Sequence, residues 1–327
     1  MPDIAFVSPS VAALATLALI VWMLKARGRL PLDVPNQRSL HAQPVPRSGG
    51  IAMMAGIFAG FALMQTSLIV VLPAALLVAF SHVDDASGLP IALRLGAQTV
   101  AAAALAYGAL PALGFPVLAP IVLGMLWMTN LYNFMDGSDG LAGGMTVLGF
   151  SFLGAGAWMS GDEVLLIECA IVAAAGAAFL LVNFPPARLF MGDAGSVPLG
   201  FLAAAFSLSG WRDGDWPLWF PAAVFSPFIA DATLTLVKRA VSGERVWEAH
   251  NKHYYQRLVR MGWGHRRTAL AEYALMAACG GTALWALREP LYLQACALLG
   301  LVALQAALAL WIDSAWRRSE KQTIESA

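Results

Sequence analysis

Asn130-Leu-Tyr-Asn-Phe-Met-Asp-Gly-Ser-Asp-Gly-Leu-Ala-Gly-Gly144 stands between apolar runs at 115–133 and 140–160, a setting that should exclude its two carboxylates. Charged groups at the end of a membrane helix are costly, so Asp136 and Asp139 mark a site. Gly137 and Gly140 let the backbone approach a ligand closely. Asn133, Asp136 and Asp139, at spacing three, are expected to share one face of a helical turn. The bland alternative is a polar helix-to-helix turn.

Outward from this stretch the chain is mostly membrane. Of 327 residues, 59% are hydrophobic and 12% are charged, which excludes an ordinary soluble domain. The composition points to one all-α, polytopic membrane domain over 1–327. Apolar runs of about 20 residues give eleven expected spans. They lie at 8–25, 49–65, 67–83, 92–109, 115–133, 140–160, 164–183, 196–210, 217–238, 268–287 and 290–312.

The first run has Lys25, Arg27 and Arg29 after it and no basic residue before it, the reverse of a secretory signal's flanks. With the N-terminus outside, 18 of the 20 Lys and Arg fall in inside loops and only Arg212 and Arg288 fall outside. This distribution supports eleven spans with a cytoplasmic C-terminus and cytoplasmic catalytic loops. The net charge is zero, and no nucleic-acid partner is expected. Cys169, Cys279 and Cys296 lie in apolar runs without CxxC spacing and read as packing residues.

The inside loops carry the chemistry. Arg47, before Gly49-Gly50 at the start of the second helix, reads as an anion seat, because free N–H groups and the helix dipole favour phosphate. Arg38 and His41 in the same loop are equally readable as topology signals. Asp84 and Asp85 end the third helix, where negative charge is unfavourable. They are candidates for Mg²⁺ or for a base. Arg94 and Gln98 share a face of the fourth helix.

Asn183-Phe-Pro-Pro-Ala-Arg-Leu-Phe-Met-Gly-Asp193-Ala-Gly-Ser ends the seventh helix. Its Gly192 and Gly195 bracket Asp193, which suits a hard cation carrying phosphates. Asp231, about two turns before Lys238, is expected to pair with a basic neighbour, orientation of the site being the alternative. In the loop after it, His250, His253, Arg257 and Arg260 fall on one stripe of a basic amphipathic helix, beside Trp247, Tyr254, Leu258 and Met261. Diphosphate binding fits that stripe better than zinc, since no Cys is near. Attachment to anionic lipid is the alternative.

Taken together, these segments resemble the polyprenyl-phosphate N-acetylhexosamine-1-phosphate transferases, glycosyltransferase family 4. The resemblance rests on Asp-Val-Pro-Asn-Gln-Arg-Ser with Pro-Arg-Ser-Gly-Gly, the Asp84-Asp85 pair, Asn-Phe-Met-Asp-Gly-Ser-Asp-Gly, Phe-Met-Gly-Asp-Ala-Gly-Ser and the His-x-x-His loop. It runs from about Asp33 to Arg267, some seven tenths of the chain. Within the family, Asn-Phe-Pro-Pro-Ala-Arg and Trp-Glu-Ala-His-x-x-His resemble the branch that initiates O-antigen and exopolysaccharide. They are less similar to the muramoyl-pentapeptide transferase, which favours three consecutive histidines.

The resemblance implies transfer of an N-acetylamino-sugar 1-phosphate from a UDP-sugar to undecaprenyl phosphate, giving UMP, in a bacterial cytoplasmic membrane. It implies Mg²⁺ as cofactor, with Mn²⁺ a substitute, and leaves a homodimer open. Asp193 would be the metal ligand, with Asp136 beside it. Asp84 and Asp85 would lie at the lipid phosphate. Asn133, Asp136, Asp139, Asn183 and Phe190 would line the uridine and metal side, and His250 and His253 would meet the sugar diphosphate. Arg47 and Arg257 join the substrate-binding set as basic groups of the same loops. An ion-coupled transporter is the reading from a different class. Its acids would sit near the midplane in two related halves, which this chain lacks.

Overall fold

A computed structural model describes residues 2–25, 30–35, 40, 43–248 and 250–325. Arg38 and His41 lie outside the described residues. The protein is a helical, multi-pass membrane protein. Its elements are α1 (Pro2–Lys25), a two-residue hairpin of β1 (Leu32–Asp33) and β2 (Val45–Pro46), α2 (Gly49–Met64), α3 (Leu68–Ser87) and α4 (Ile91–Ala109). They continue with α5 (Phe115–Phe134), α6 (Leu141–Ser160), α7 (Glu163–Asn183), α8 (Asp193–Asp213), α9 (Trp219–Val224) and α10 (Ser226–Val241). A one-turn α11 (Tyr254–Leu258), α12 (Gly264–Ala286) and α13 (Leu291–Glu325) complete the chain.

Among the described residues, eight of these helices (α1, α3 to α8 and α13) are long and apolar enough to cross a bilayer. The other three expected spans look different. α2 has 16 residues. The ninth is broken at Phe225 into α9 and α10, with Pro227 in the first turn of the second piece. α12 begins in the polar Gly-His-Arg-Arg segment.

α8 is the innermost helix and α13 the outermost, with 78% and 11% of their most apolar windows buried. That difference fixes where the core sits. Phe206 of α8 packs edge-on against Phe150 of α6 and Phe61 of α2, at 6.0 and 6.1 Å between centroids. Where α2 meets α8 there is no room for side chains: a Cβ on Gly50 would lie 2.4 Å from the Gly195 Cα. Small residues allow such backbone approach in a bilayer, where close van der Waals packing replaces the hydrophobic drive. The contact locks the start of α8, and therefore Asp193, against the start of α2.

Candidate active site

Three helix ends converge at one end of the bundle. α3 ends in Asp84 and Asp85, and the two part company. Asp84 accepts the Leu89 N–H at 2.6 Å and pairs with Arg94 at 3.3 Å, closing the α3–α4 turn. Asp85 pairs with Arg47 at 2.8 Å and accepts the Ala194 N–H at 3.3 Å, so its charge sits on the positive end of α8. The backbone around Arg47 is fixed by pairing with Phe190, whose N–H bonds Pro46 O at 2.8 Å.

α8 begins with Asp193 after Gly192, whose φ of 74° is open to glycine at little cost. Asn133 of α5 donates to Asp193 at 2.9 Å and lies 2.9 Å from Ser196. Asp136, just beyond α5, accepts from the Gly192 N–H. Burial, with Asp193 and Asp85 nearby, pushes the Asp136 carboxyl well above the usual range.

The loop after α10 folds back over these acids. Arg239, buried, holds Glu244 at 2.9 Å and the carbonyls of Arg245 and Val246 at 2.8 and 3.3 Å, and Lys252 returns to Glu244 at 2.6 Å. His253 bonds Asp231 at 3.0 Å and stacks on Phe134 and Tyr255, with centroids at 6.2 and 5.8 Å. His250 lies 4.7 Å from His253, centroid to centroid. Burial, then His253, Arg239 and Lys252, press its pKa down to about 4.

The expected amphipathic helix across this loop is corrected. Only Tyr254–Leu258 is α-helical, Gly262 has φ of 94°, and His250 lies on the non-helical approach. Asp231 finds the basic neighbour expected for it. It takes His253, while Lys238 pairs with Asp313 of α13.

A cavity of about 630 Å³ opens here. Its polar wall carries Asp84, Arg94, Asn133, Asp136, Asp193, His250 and His253, and its apolar wall carries Leu77, Phe80, Leu95, Leu123, Trp127 and Leu236. Six predicted residues therefore line one space. The other predicted residues do not line this cavity, and each is bonded to protein groups around it.

Asp85 and Arg47 pair with each other. The Gly49 and Gly50 N–H groups, expected to be free for an anion, are bonded to Phe190 O and Met191 O at 2.9 Å each. Asp139 accepts the Ala187 N–H at 2.9 Å and lies 3.7 Å from His265. Asn183, 3% exposed, spends its side chain on Gly140 N and Leu189 O, both at 3.0 Å. Phe190 serves through its backbone, and Arg257 binds Asp313 at 2.7 Å and Lys252 O at 2.9 Å. The helical face expected for Asn133, Asp136 and Asp139 ends with α5 at Phe134, which is why Asp139 turns away.

Sequence reasoning missed two contributors, Tyr255 and His265, and read a third, Trp247, only as part of an apolar stripe. Tyr255 lines the cavity and donates to Phe134 O at 3.0 Å. Trp247 stands exposed at the rim. His265 joins three segments, through Ser138 at 2.8 Å, Asp139 N at 3.3 Å and Leu40 O at 3.1 Å. A histidine beside two arginines before an apolar run carries no pattern that points to this.

Among the described residues, no three His, Cys, Asp or Glu side chains form a closed metal-binding set. Asp136 and Asp193 instead present carboxylate oxygen to a cavity with room for phosphates. That donor set fits Mg²⁺, which takes one or two carboxylates and completes its shell from phosphate and water.

Residues 67–210 match the model of glycosyl transferase family 4. The chain is 31% identical over 290 residues to the decaprenyl-phosphate N-acetylglucosaminephosphotransferase of Mycobacterium tuberculosis, covering 73% of this chain and 71% of that one. It is 28% identical over 265 residues to a probable undecaprenyl-phosphate N-acetylglucosaminyl 1-phosphate transferase of Bacillus subtilis, covering 75% and 74%. The phospho-N-acetylmuramoyl-pentapeptide-transferase of Staphylococcus aureus is 29% identical over 173 residues, 53% of each chain. With the family model on the segments that carry Asp84, Asn133, Asp136 and Asp193, and a relative above 30% identity of which it covers more than two thirds, the chain belongs to glycosyl transferase family 4.

Proposed function

We propose that this protein transfers an N-acetylamino-sugar 1-phosphate from a UDP-sugar to undecaprenyl phosphate, releasing UMP and starting a lipid-linked glycan such as O-antigen or exopolysaccharide. One observation carries the reading: a single cavity joins an acidic, histidine-bearing wall to an apolar wall from α3, α4, α5 and α10. A reaction between a water-soluble diphosphate and a lipid phosphate needs both walls at once. The relatives named for polyprenyl-phosphate acceptors support the same chemistry.

In the reaction, an oxygen of the lipid phosphate bonds to the sugar-side phosphorus of the donor. The bond from that phosphorus to the bridging oxygen breaks, and UMP leaves with that oxygen. Asp193 and Asp136 would hold Mg²⁺, or Mn²⁺ in its place, which when bound neutralises diphosphate charge. Asn133 keeps Asp193 aimed. Arg94, paired with Asp84, offers positive charge on the side where the apolar wall would deliver the lipid phosphate. His250 and His253 face the donor diphosphate from the loop above. Direct attack is favoured over an aspartyl-phosphate route because Asp84 and Asp85 are each already engaged by a backbone N–H and an arginine.

The charge distribution along the chain favours a cytoplasmic face for this site in a bacterial inner membrane. The test is incubation of purified protein with labelled UDP-N-acetylglucosamine, UDP-N-acetylgalactosamine and their 6-deoxy counterparts, each with undecaprenyl phosphate. EDTA-sensitive, lipid-soluble label with at least one donor is the expected result. Failure with all of them, alongside turnover of UDP-N-acetylmuramoyl-pentapeptide, would move the protein to the other branch of the family. UMP exchange into the donor without lipid would favour the two-step route.

A further inference from the structure

We propose that Asp231 is a positioning residue for the transfer: it sets the tautomer and orientation of His253 so that Nε2 is presented to the phosphates of the donor. The inference rests on the transferase reading above. Asp231 belongs to α10 and is 8% exposed. Its Oδ1 accepts the Tyr254 N–H at 3.0 Å and the Thr235 hydroxyl at 3.2 Å, and its Oδ2 accepts the Tyr255 N–H at 3.0 Å. A carboxylate used in this way has only acceptance to offer. The His253 Nδ1, 3.0 Å from Oδ1, therefore carries a hydrogen and donates it.

Nε2 is then the ring atom left for a ligand, on a side chain that is 3% exposed yet lines the cavity. The rings of Phe134 and Tyr255 stack on the imidazole at interplanar angles of 28° and 16° and resist its rotation. To donate to a phosphate oxygen Nε2 must carry a hydrogen as well, and a carboxylate at Nδ1 stabilises the ring in that form. Asp231 also explains why α11 starts where it does, since the N–H groups of the first two α11 residues end on its oxygens. A carboxylate that orients a histidine in this manner matters for rate far more than for substrate affinity.

The experiment is a double-mutant cycle in the full-length protein, with Asp231→Asn and His253→Gln alone and together, measuring kcat and the KM for the lipid acceptor. Asp231→Asn is expected to lower kcat about 100-fold with the lipid KM within about 2-fold, and to cost less than about 3-fold when His253 is already Gln. An equal loss in both backgrounds, or a rate near wild type for Asp231→Asn, overturns the proposal. If Asp231→Asn fails to insert, Thr235→Val runs the same cycle by removing one donor to the same oxygen. A loss confined to the His253 background supports the proposal, and an equal loss in both overturns it. A wild-type protein inactive with every UDP-sugar would instead defeat the transferase reading itself, so the two failures are distinguishable.

Discussion

Asn133, the penultimate residue of α5, donates to the carboxylate of Asp193, the first residue of α8, at 2.9 Å across 60 positions of sequence. The bond aims a cavity-facing carboxylate with a neutral donor and leaves its charge intact. Replacing Asn133 with Leu removes the donor without adding charge. Activity should fall about 10- to 100-fold, as for the loss of a group that orients a metal ligand. The half-saturating Mg²⁺ concentration should rise, and membrane insertion should be unchanged. Turnover measured against Mg²⁺ concentration checks it. An unaltered titration would detach Asn133 from the metal side.

His250 provides a pH test. Its pKa, about 4 in the folded protein against 6.5 for an ordinary histidine, keeps it neutral near pH 6. Because the folded value is the lower one, acidification protonates the unfolded chain first. Stability should therefore fall as pH drops from about 6.5 to about 4, with no contribution from this group above that window. Histidine-selective NMR should place the His250 midpoint below pH 5. A midpoint near 6.5 would contradict the burial seen here.

Gly50 and Gly195 test the packing that fixes Asp193. A methyl group on either would meet backbone of the facing helix at 2.4 to 2.6 Å, and backbone cannot rotate away as a side chain can. Gly50→Ala should destabilise the protein by about 3 kcal/mol. Gly281→Ala, where a Cβ meets nothing within 4 Å, should be near neutral. Thermal unfolding followed by size-exclusion of the detergent-solubilised variants compares them.

His265 tests the loop brace. The Asp139 N–H can only donate and the Leu40 carbonyl can only accept, so Nδ1 is the acceptor and Nε2 carries the hydrogen. His265→Ala should cost about 1–3 kcal/mol of stability by stranding these groups. The ring does not line the cavity, so turnover at low temperature should stay within a few fold. A large loss of kcat with normal stability would mean that His265 acts on substrate.

Much of this was legible in the sequence, for identifiable reasons. Apolar runs of bilayer length mark spans whatever their partners, so α1 and α3 to α8 stand close to where composition puts them. Acids beside such runs are costly anywhere, so Asp84, Asp136 and Asp193 declared themselves. What failed was extrapolation of periodicity. A spacing of three means a shared face only while the helix lasts, and α5 stops before Asp136. The stripe from His250 to Arg260 has the same fault, because it crosses a loop tied down by Arg239. Support roles were also hidden: nothing in Asn183 or Asp139 tells whether the side chain meets ligand or a distant backbone N–H. Asp231 was noticed for its depth, but its partner, 22 positions away, depends on the fold of the loop.

The proposed chemistry depends most directly on Asp193. The measurement is transfer of label from UDP-N-acetylamino sugar to undecaprenyl phosphate by wild-type protein and Asp193→Asn, across a Mg²⁺ titration in detergent. The wild type should be abolished by EDTA and restored by Mg²⁺. The variant keeps the shape but removes a charge that would face the dication, and it should lose about 100-fold or more while inserting normally. An Asp193→Asn protein with a near-normal rate and an unchanged Mg²⁺ titration would contradict the placement of the metal at this carboxylate, and with it the alignment of donor and lipid phosphates proposed for the cavity.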